Sequence, residues 1–125
     1  MHVYELSIPD SIKVVLAKAG YDELYPPQVD AINAGVLDGK NIILASPTAS
    51  GKTLIAELAV LKTLLEKGGK ALYLTPLRAL ASEKFEDFSK YTSIEKSPGS
   101  KVRVGLTSGD YDSSDIYLAN YDIII

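Results

Sequence analysis

"NIILASPTASGKTLIAELAVL", Asn41–Leu61, is the stretch that decides the fold. An apolar run, Asn41–Ala45, enters a turn of small residues. Lys52-Thr53 then opens a segment whose Leu54, Leu58, Leu61 and Leu65 keep helical spacing. The pattern reads as a buried strand, a loop and an amphipathic helix from Lys52 to about Lys67, stopped by Gly68-Gly69. Gly51-Lys52-Thr53, between strand and helix, completes a phosphate-binding loop. Amides of Thr48 to Thr53 point at phosphate oxygens there, and the positive end of the helix assists. Lys52 is predicted to reach the β- and γ-phosphates, and the Thr53 hydroxyl to ligate Mg²⁺. The expected nucleotide site is thus Pro47, Thr48, Ala49, Ser50, Gly51, Lys52 and Thr53, with Lys52 and Thr53 as its catalytic residues and Thr53 as its metal ligand. Ala45 stands where the pattern opens with Gly, and a methyl group is tolerable at a strand end. Ala49 departs further, because a Gly there would permit φ > 0 without penalty.

Elements follow outward from the loop. Ser11 is expected to cap a helix over "SIKVVLAKAG", with Gly20 as its stop. Tyr25-Pro26-Pro27 leads into a second helix, "PQVDAINAGVL", and Asp38–Lys40 forms a turn. Beyond the central helix come a buried strand, "ALYLT" (Ala71–Thr75), and a helix from about Arg78 to Lys90. "TSIEKSPGS" reads as a loop, "KVRVGLT" (Lys101–Thr107) as an alternating strand, "SGDYDSSD" as a turn-rich link and "DIII" as a fourth strand. Alternating strands and helices predict an α/β fold, a parallel sheet with helices on both faces. Ile125 falls inside an apolar strand, so the chain is expected to be the start of a longer protein.

Composition excludes several classes. The 125 residues suffice for one small domain and not comfortably for two. No apolar run approaches the roughly 20 residues of a membrane helix, and "MHVYELSIPD" lacks the regions of a signal peptide. With no cysteine there is no disulfide framework, thiolate metal site or cysteine nucleophile. These features fit the cytoplasm. The net charge of −3 gives no global footprint of nucleic-acid binding, so that function must rest on specific residues.

Four stretches in order carry a family resemblance: "LYPPQVDAI" (Leu24–Ile32), "SPTASGKTLIAELAVL" (Ser46–Leu61), "YLTPLRALASEKFEDF" (Tyr73–Phe88) and "VGLTSGDYDS" (Val104–Ser113). Together they resemble the start of the first RecA-like domain of superfamily 2 DNA helicases, most closely the archaeal Holliday-junction-migration (Hjm) type. Ala in place of the loop glycine is ordinary in that family. The resemblance implies an N-terminal helical segment with an adenine-recognising glutamine over residues 1–40 and the first part of an ATP-binding domain over 41–125. It makes Gln28 the adenine-reading residue, whose carboxamide has a donor and an acceptor suited to adenine's N6 and N7 edge. Tyr25 either stacks near the base or packs in the turn. "TPLRALASEK" resembles a motif that touches the tracking DNA strand, with Pro76 and Arg78 as contacts and Lys84 as a weaker candidate or a solvated helix residue. Thr107 and Ser108, followed by Gly109, resemble a further turn on that strand.

The family hydrolyses ATP with an Asp-Glu-x-His motif and arginines of a second RecA-like domain, neither of which occurs in this sequence. Asp110 and Asp122 do not fit the acidic role, since Asp122 precedes its strand. The resemblance therefore implies an ATP·Mg²⁺-binding piece of a 3′–5′ DNA helicase of replication-fork repair and recombination. Alone, the piece is expected neither to hydrolyse ATP nor to unwind. Its partner is forked or branched DNA, its parent is monomeric, and the piece itself is free to self-associate through open sheet edges. An RNA helicase of the same superfamily, a P-loop phosphotransferase and a non-catalytic nucleotide-binding module are the competing readings.

Overall fold

The computed structural model describes residues 1–47, 51–107 and 120–125. These fall into two units, Met1–Lys67 and Gly68–Ile125. The turn-rich link predicted after Thr107 lies outside the described residues, as do Thr48, Ala49, Ser50, Ser108, Gly109 and Asp110.

The first unit is helical. A 3₁₀ turn at Val3–Glu5 precedes α1 (Asp10–Lys18), α2 (Pro26–Asn33), a second 3₁₀ turn at Val36–Asp38 and α3 (Lys52–Lys67). Helix α1 begins one residue before the predicted cap: Pro9, not Ser11, is its N-cap, and no side chain caps it. Asp10 in the first turn and Lys18 in the last complement the helix dipole instead. Helix α2 stops at Asn33, short of the predicted "GVL", because Gly35 takes φ 100° and redirects the chain. Helix α3 matches its reading to the residue, and Gly68 and Gly69, both at positive φ, end it. Leu54, Leu58, Leu61 and Leu64 are buried along one stripe of α3, joined in this unit's core by Ile12, Leu16 and Leu24. Each such side chain contributes roughly 1.5–3 kcal/mol on burial.

The predicted strand Asn41–Ala45 is a correction. This segment is extended, with exposure alternating residue by residue, but it pairs with no strand among the described residues. Ile43 is 98% exposed. An apolar extended segment becomes a strand only when a neighbour completes its ladder.

The second unit carries the sheet. Strands β1 (Ala71–Leu72), β2 (Glu95–Ser97), β3 (Ser100–Lys101), β4 (Val104–Gly105) and β5 (Ile123–Ile124) surround one helix, α4 (Arg78–Ser89). Three strands form a parallel sheet in the order β1-β5-β4, with Ala71 and Val104 both opposite Ile123. The ladder runs on past the regular strands: Tyr73 N–H donates to the Ile124 carbonyl at 2.8 Å and Thr107 N–H to the Ile125 carbonyl at 2.9 Å. The stretch read as the loop "TSIEKSPGS" contains a second correction, an antiparallel hairpin of β2 and β3 turning through Pro98-Gly99, where Gly99 has φ 76°. Lys101 belongs to that hairpin, so the predicted strand Lys101–Thr107 is divided between two sheets. Phe88 and Tyr91 are fully buried, and Tyr73 meets Phe88 edge-on with ring centroids 5.4 Å apart.

Candidate functional site

In the first unit the site is organised around Gln28. It is the third residue of α2, and its Oε1 reaches back to accept the Tyr25 N–H at 2.7 Å. That capping contact satisfies a donor which no helical carbonyl serves. Its Nε2 donates to the Gly51 carbonyl at 3.0 Å, across 23 residues of sequence. The amide is 97% buried, with 3% residual exposure. A carboxamide oxygen has two lone pairs and its nitrogen two hydrogens. One of each is therefore spent on the protein, and one acceptor and one donor remain, the pair that an adenine edge requires.

Gly51 holds φ 85°, and a Cβ placed there would sit 2.1 Å from Gln28 Nε2 and 3.4 Å from Tyr25 Cδ2. The glycine is required twice over, by its backbone angle and by its neighbours. Tyr25 is exposed and its ring flanks Gly51. At the mouth of α3, Lys52 Nζ donates to the Ser46 carbonyl at 2.5 Å and the Pro47 carbonyl at 3.1 Å. Lys52 and Thr53 open a 16-residue helix whose first amides have no intrahelical acceptors. Gln28, Pro47, Gly51, Lys52 and Thr53 all lie in this unit. The sequence named Gln28 as an adenine reader and missed its grip on Gly51. The available signal was a glutamine at the third position of a helix opened by proline.

In the second unit a groove of about 330 Å³ opens at the carboxyl ends of β1, β5 and β4. Tyr73, Thr75, Pro76, Leu77, Arg78 and Thr107 contribute to its lining, so Pro76, Arg78 and Thr107 are brought together. Ligands of parallel α/β sheets bind outside this end of the strands. Arg78 is the first residue of α4, beside its N-terminal amides. Lys84 lies further along α4, half-buried, and pairs with Asp87 at 3.7 Å. Asp122 is buried, with both carboxylate oxygens engaged. Its Oδ1 accepts from Lys96 Nζ at 2.5 Å and its Oδ2 from the Arg103 N–H at 2.9 Å. Among the described residues no cluster of His, Cys, Asp and Glu forms a metal site, and no helix is long and apolar enough to cross a membrane.

The family model for DEAD/DEAH box helicases matches residues 25–125. The ATP-dependent DNA helicase Hel308 of Pyrococcus horikoshii is 52% identical over all 125 residues, which span 17% of that relative's length. The DUF1998 helicase MrfA, solved bound to DNA, superposes with a TM-score of 0.76 at 33% identity, covering 95% of this chain and 17% of that one. A DEAD box protein from the hyperthermophile Methanococcus jannaschii shares the fold, with a TM-score of 0.75 at 23% identity over 100% of this chain and 34% of its own. The α/β fold with its parallel sheet is thus the RecA-like fold of these proteins. By its sequence over residues 25–125, the chain belongs to the DEAD/DEAH box helicase family.

Proposed function

We propose that this chain is the nucleotide-gripping first part of an ATP-dependent DNA helicase, with residues 1–40 as an adenine-side segment and 41–125 as the start of the ATP-binding domain. The observation that carries the reading is the Gln28–Gly51 contact, which joins the adenine-reading residue to the phosphate loop by one hydrogen bond of 3.0 Å. The fit to ATP is supported by a glycine at φ 85° that the Gln28 side chain packs against, and by a lysine at a helix mouth whose partners are loop carbonyls. Phosphate oxygens make stronger, charge-assisted acceptors for Lys52 than those carbonyls. Thr53 supplies a hydroxyl suited to Mg²⁺, which neutralises phosphate charge when bound. Gln28 reads the adenine edge, Tyr25 flanks the base, and Pro47 to Thr53 hold the phosphates.

Pro76, Arg78 and Thr107 then hold the backbone of the tracked strand in the groove, with Ser108 beside them. DNA is the preferred polymer, as in the relatives named DNA helicases at 50–52% identity. Translocation from 3′ to 5′ on forked or branched DNA, in repair and recombination, completes the reading, with a monomeric cytoplasmic parent. The 125 residues hold ATP·Mg²⁺ weakly and do not turn it over. Exposed Leu72 on β1, an edge strand among the described residues, and Leu74 just beyond it support self-association of this piece. Titration with a fluorescent ATP analogue, an ATPase assay with forked DNA or RNA, and sedimentation of the same sample test the reading. Analogue binding without turnover is expected. Substantial turnover by the chain alone, or binding indifferent to Lys52→Ala, would refute it.

A further inference from the structure

The turn between β1 and α4 places an apolar side chain where the local rules favour a polar one. Leu77 is the N-cap of α4, with φ −128° and ψ 144°, and its side chain makes no capping hydrogen bond. Serine, threonine, asparagine and aspartate stabilise this position, and leucine is among the poorest residues there. Burial does not compensate, because Leu77 is 62% exposed. A leucine that neither caps its helix nor enters the core breaks two local preferences at once. Such breaks concentrate at functional positions.

Its place in the groove says what the exposed side chain meets. Leu77 stands between Pro76 and Arg78, and all three line the groove at the carboxyl ends of the strands. A nucleic-acid strand held by Pro76 and Arg78 therefore passes over Leu77. The backbone of that strand offers two kinds of surface, charged phosphate and sugar. Leucine has no donor for phosphate, so its partner is the sugar. In deoxyribose the 2′ carbon is a methylene, whereas in ribose it carries a hydroxyl that donates and accepts hydrogen bonds.

The carbonyl of Leu77 is closed to that hydroxyl as well. It accepts the Ala81 N–H at 3.1 Å and the Thr75 hydroxyl at 3.3 Å. A carbonyl oxygen has two lone pairs, and both are taken. A ribose hydroxyl pressed against Leu77 gives up water and gains no acceptor from that residue. A deoxyribose methylene in the same place buries favourably. The same two hydrogen bonds tie the Leu77 backbone to the first turn of α4, beside Arg78.

We propose that Leu77 selects deoxyribose over ribose in the strand held by the groove. The inference rests on the reading of that groove as the strand contact and deepens it by naming the sugar the groove accepts.

The test uses the 125-residue chain and uridylate oligomers of equal length that carry hydrogen, hydroxyl or fluorine at the 2′ carbon, each competing with a fluorescent deoxyuridylate. The deoxy strand is expected to bind about tenfold more tightly than the ribo strand, the cost of one hydroxyl buried without a partner. The fluoro strand keeps a ribose-like pucker but has no proton to satisfy, and it is expected to bind close to the deoxy strand. Leu77→Thr installs a favoured capping residue, so folding is not at risk. Its hydroxyl offers the ribose a partner, and the preference is expected to fall to about threefold or less. Equal binding of deoxy and ribo strands by the unsubstituted chain, a fluoro strand as weak as the ribo strand, or an unchanged preference in Leu77→Thr would overturn the role of Leu77. In each of those cases the groove itself stands if Arg78→Ala still weakens the deoxy strand. A preference that depends on Leu77, with no effect of Arg78→Ala, would support Leu77 and refute Arg78 as a contact. No binding of any strand, or no effect of either substitution on any strand, would overturn the groove and the proposal with it.

Discussion

Gly51→Ala perturbs the site where backbone angle and side-chain packing coincide. At φ 85° an L-residue costs about 1–2 kcal/mol relative to glycine. The added methyl, 2.1 Å from Gln28 Nε2, also displaces the carboxamide. The Tyr25 N–H and the Gly51 carbonyl, both in part-buried hydrogen bonds, then lose their partners, at about 1–3 kcal/mol. The expected loss of stability is therefore about 2–5 kcal/mol. Gln28→Ala alone removes the same hydrogen bonds without the backbone strain, about 1–3 kcal/mol. In the double variant the methyl has room, so it adds only the backbone term to the loss from Gln28→Ala. The double variant should thus fall short of the sum of the singles by about 1–3 kcal/mol. Urea unfolding followed by helical circular dichroism measures all three, with a fluorescent ATP analogue titrated in parallel. Additive losses would refute the packing argument at Gly51. Full recovery of nucleotide binding in the double variant would refute the dependence of the loop on φ > 0.

Three further outcomes follow from the same structure. Lys52→Ala removes the ammonium that reaches the Ser46 and Pro47 carbonyls, and analogue affinity should fall roughly ten- to hundredfold, by calorimetry, with about 1–3 kcal/mol of stability lost in urea. Asp122→Ala strands Lys96 and the Arg103 N–H, so the chain should lose about 3 kcal/mol in urea, while binding of the analogue to the first unit is retained. Gly105→Ala drives a methyl against the Tyr121 ring without any positive φ, at about 1–3 kcal/mol, and Gly105→Ala paired with Tyr121→Ala should recover part of the loss.

What the sequence made legible tracks how local each signal is. Helix α3 needed only its own leucine spacing and two glycines, and its bounds were read to the residue. Helix α4 likewise begins at Arg78 as read and closes on Lys90 as its C-cap. The hairpin was within reach, since Pro98-Gly99 is a turn signal, but polar Glu95–Ser97 offered no alternation to mark a strand. The extended segment Asn41–Ala45 shows the limit of apolar composition: pairing depends on a neighbour that local pattern does not name. Gln28 shows another limit. Residue type and family position name it as the candidate adenine reader. Its burial and its grip on Gly51 depend on a fold that closes 23 residues.

The strand order has a consequence for the birth of the protein. Strand β5 lies between β1 and β4 and follows both in the sequence, and among the described residues both depend on it for their ladders. About 50 residues separate Ala71 from Ile123. At a synthesis rate of about 5–20 residues per second, β1 waits roughly 3–10 s on the ribosome with no strand to receive it. Throughout that interval "ALYLT" is an uncharged, β-prone segment outside any sheet. The hairpin and the helices, whose contacts are local, form long before. For this nascent chain, the window of aggregation is set by the emergence of β5.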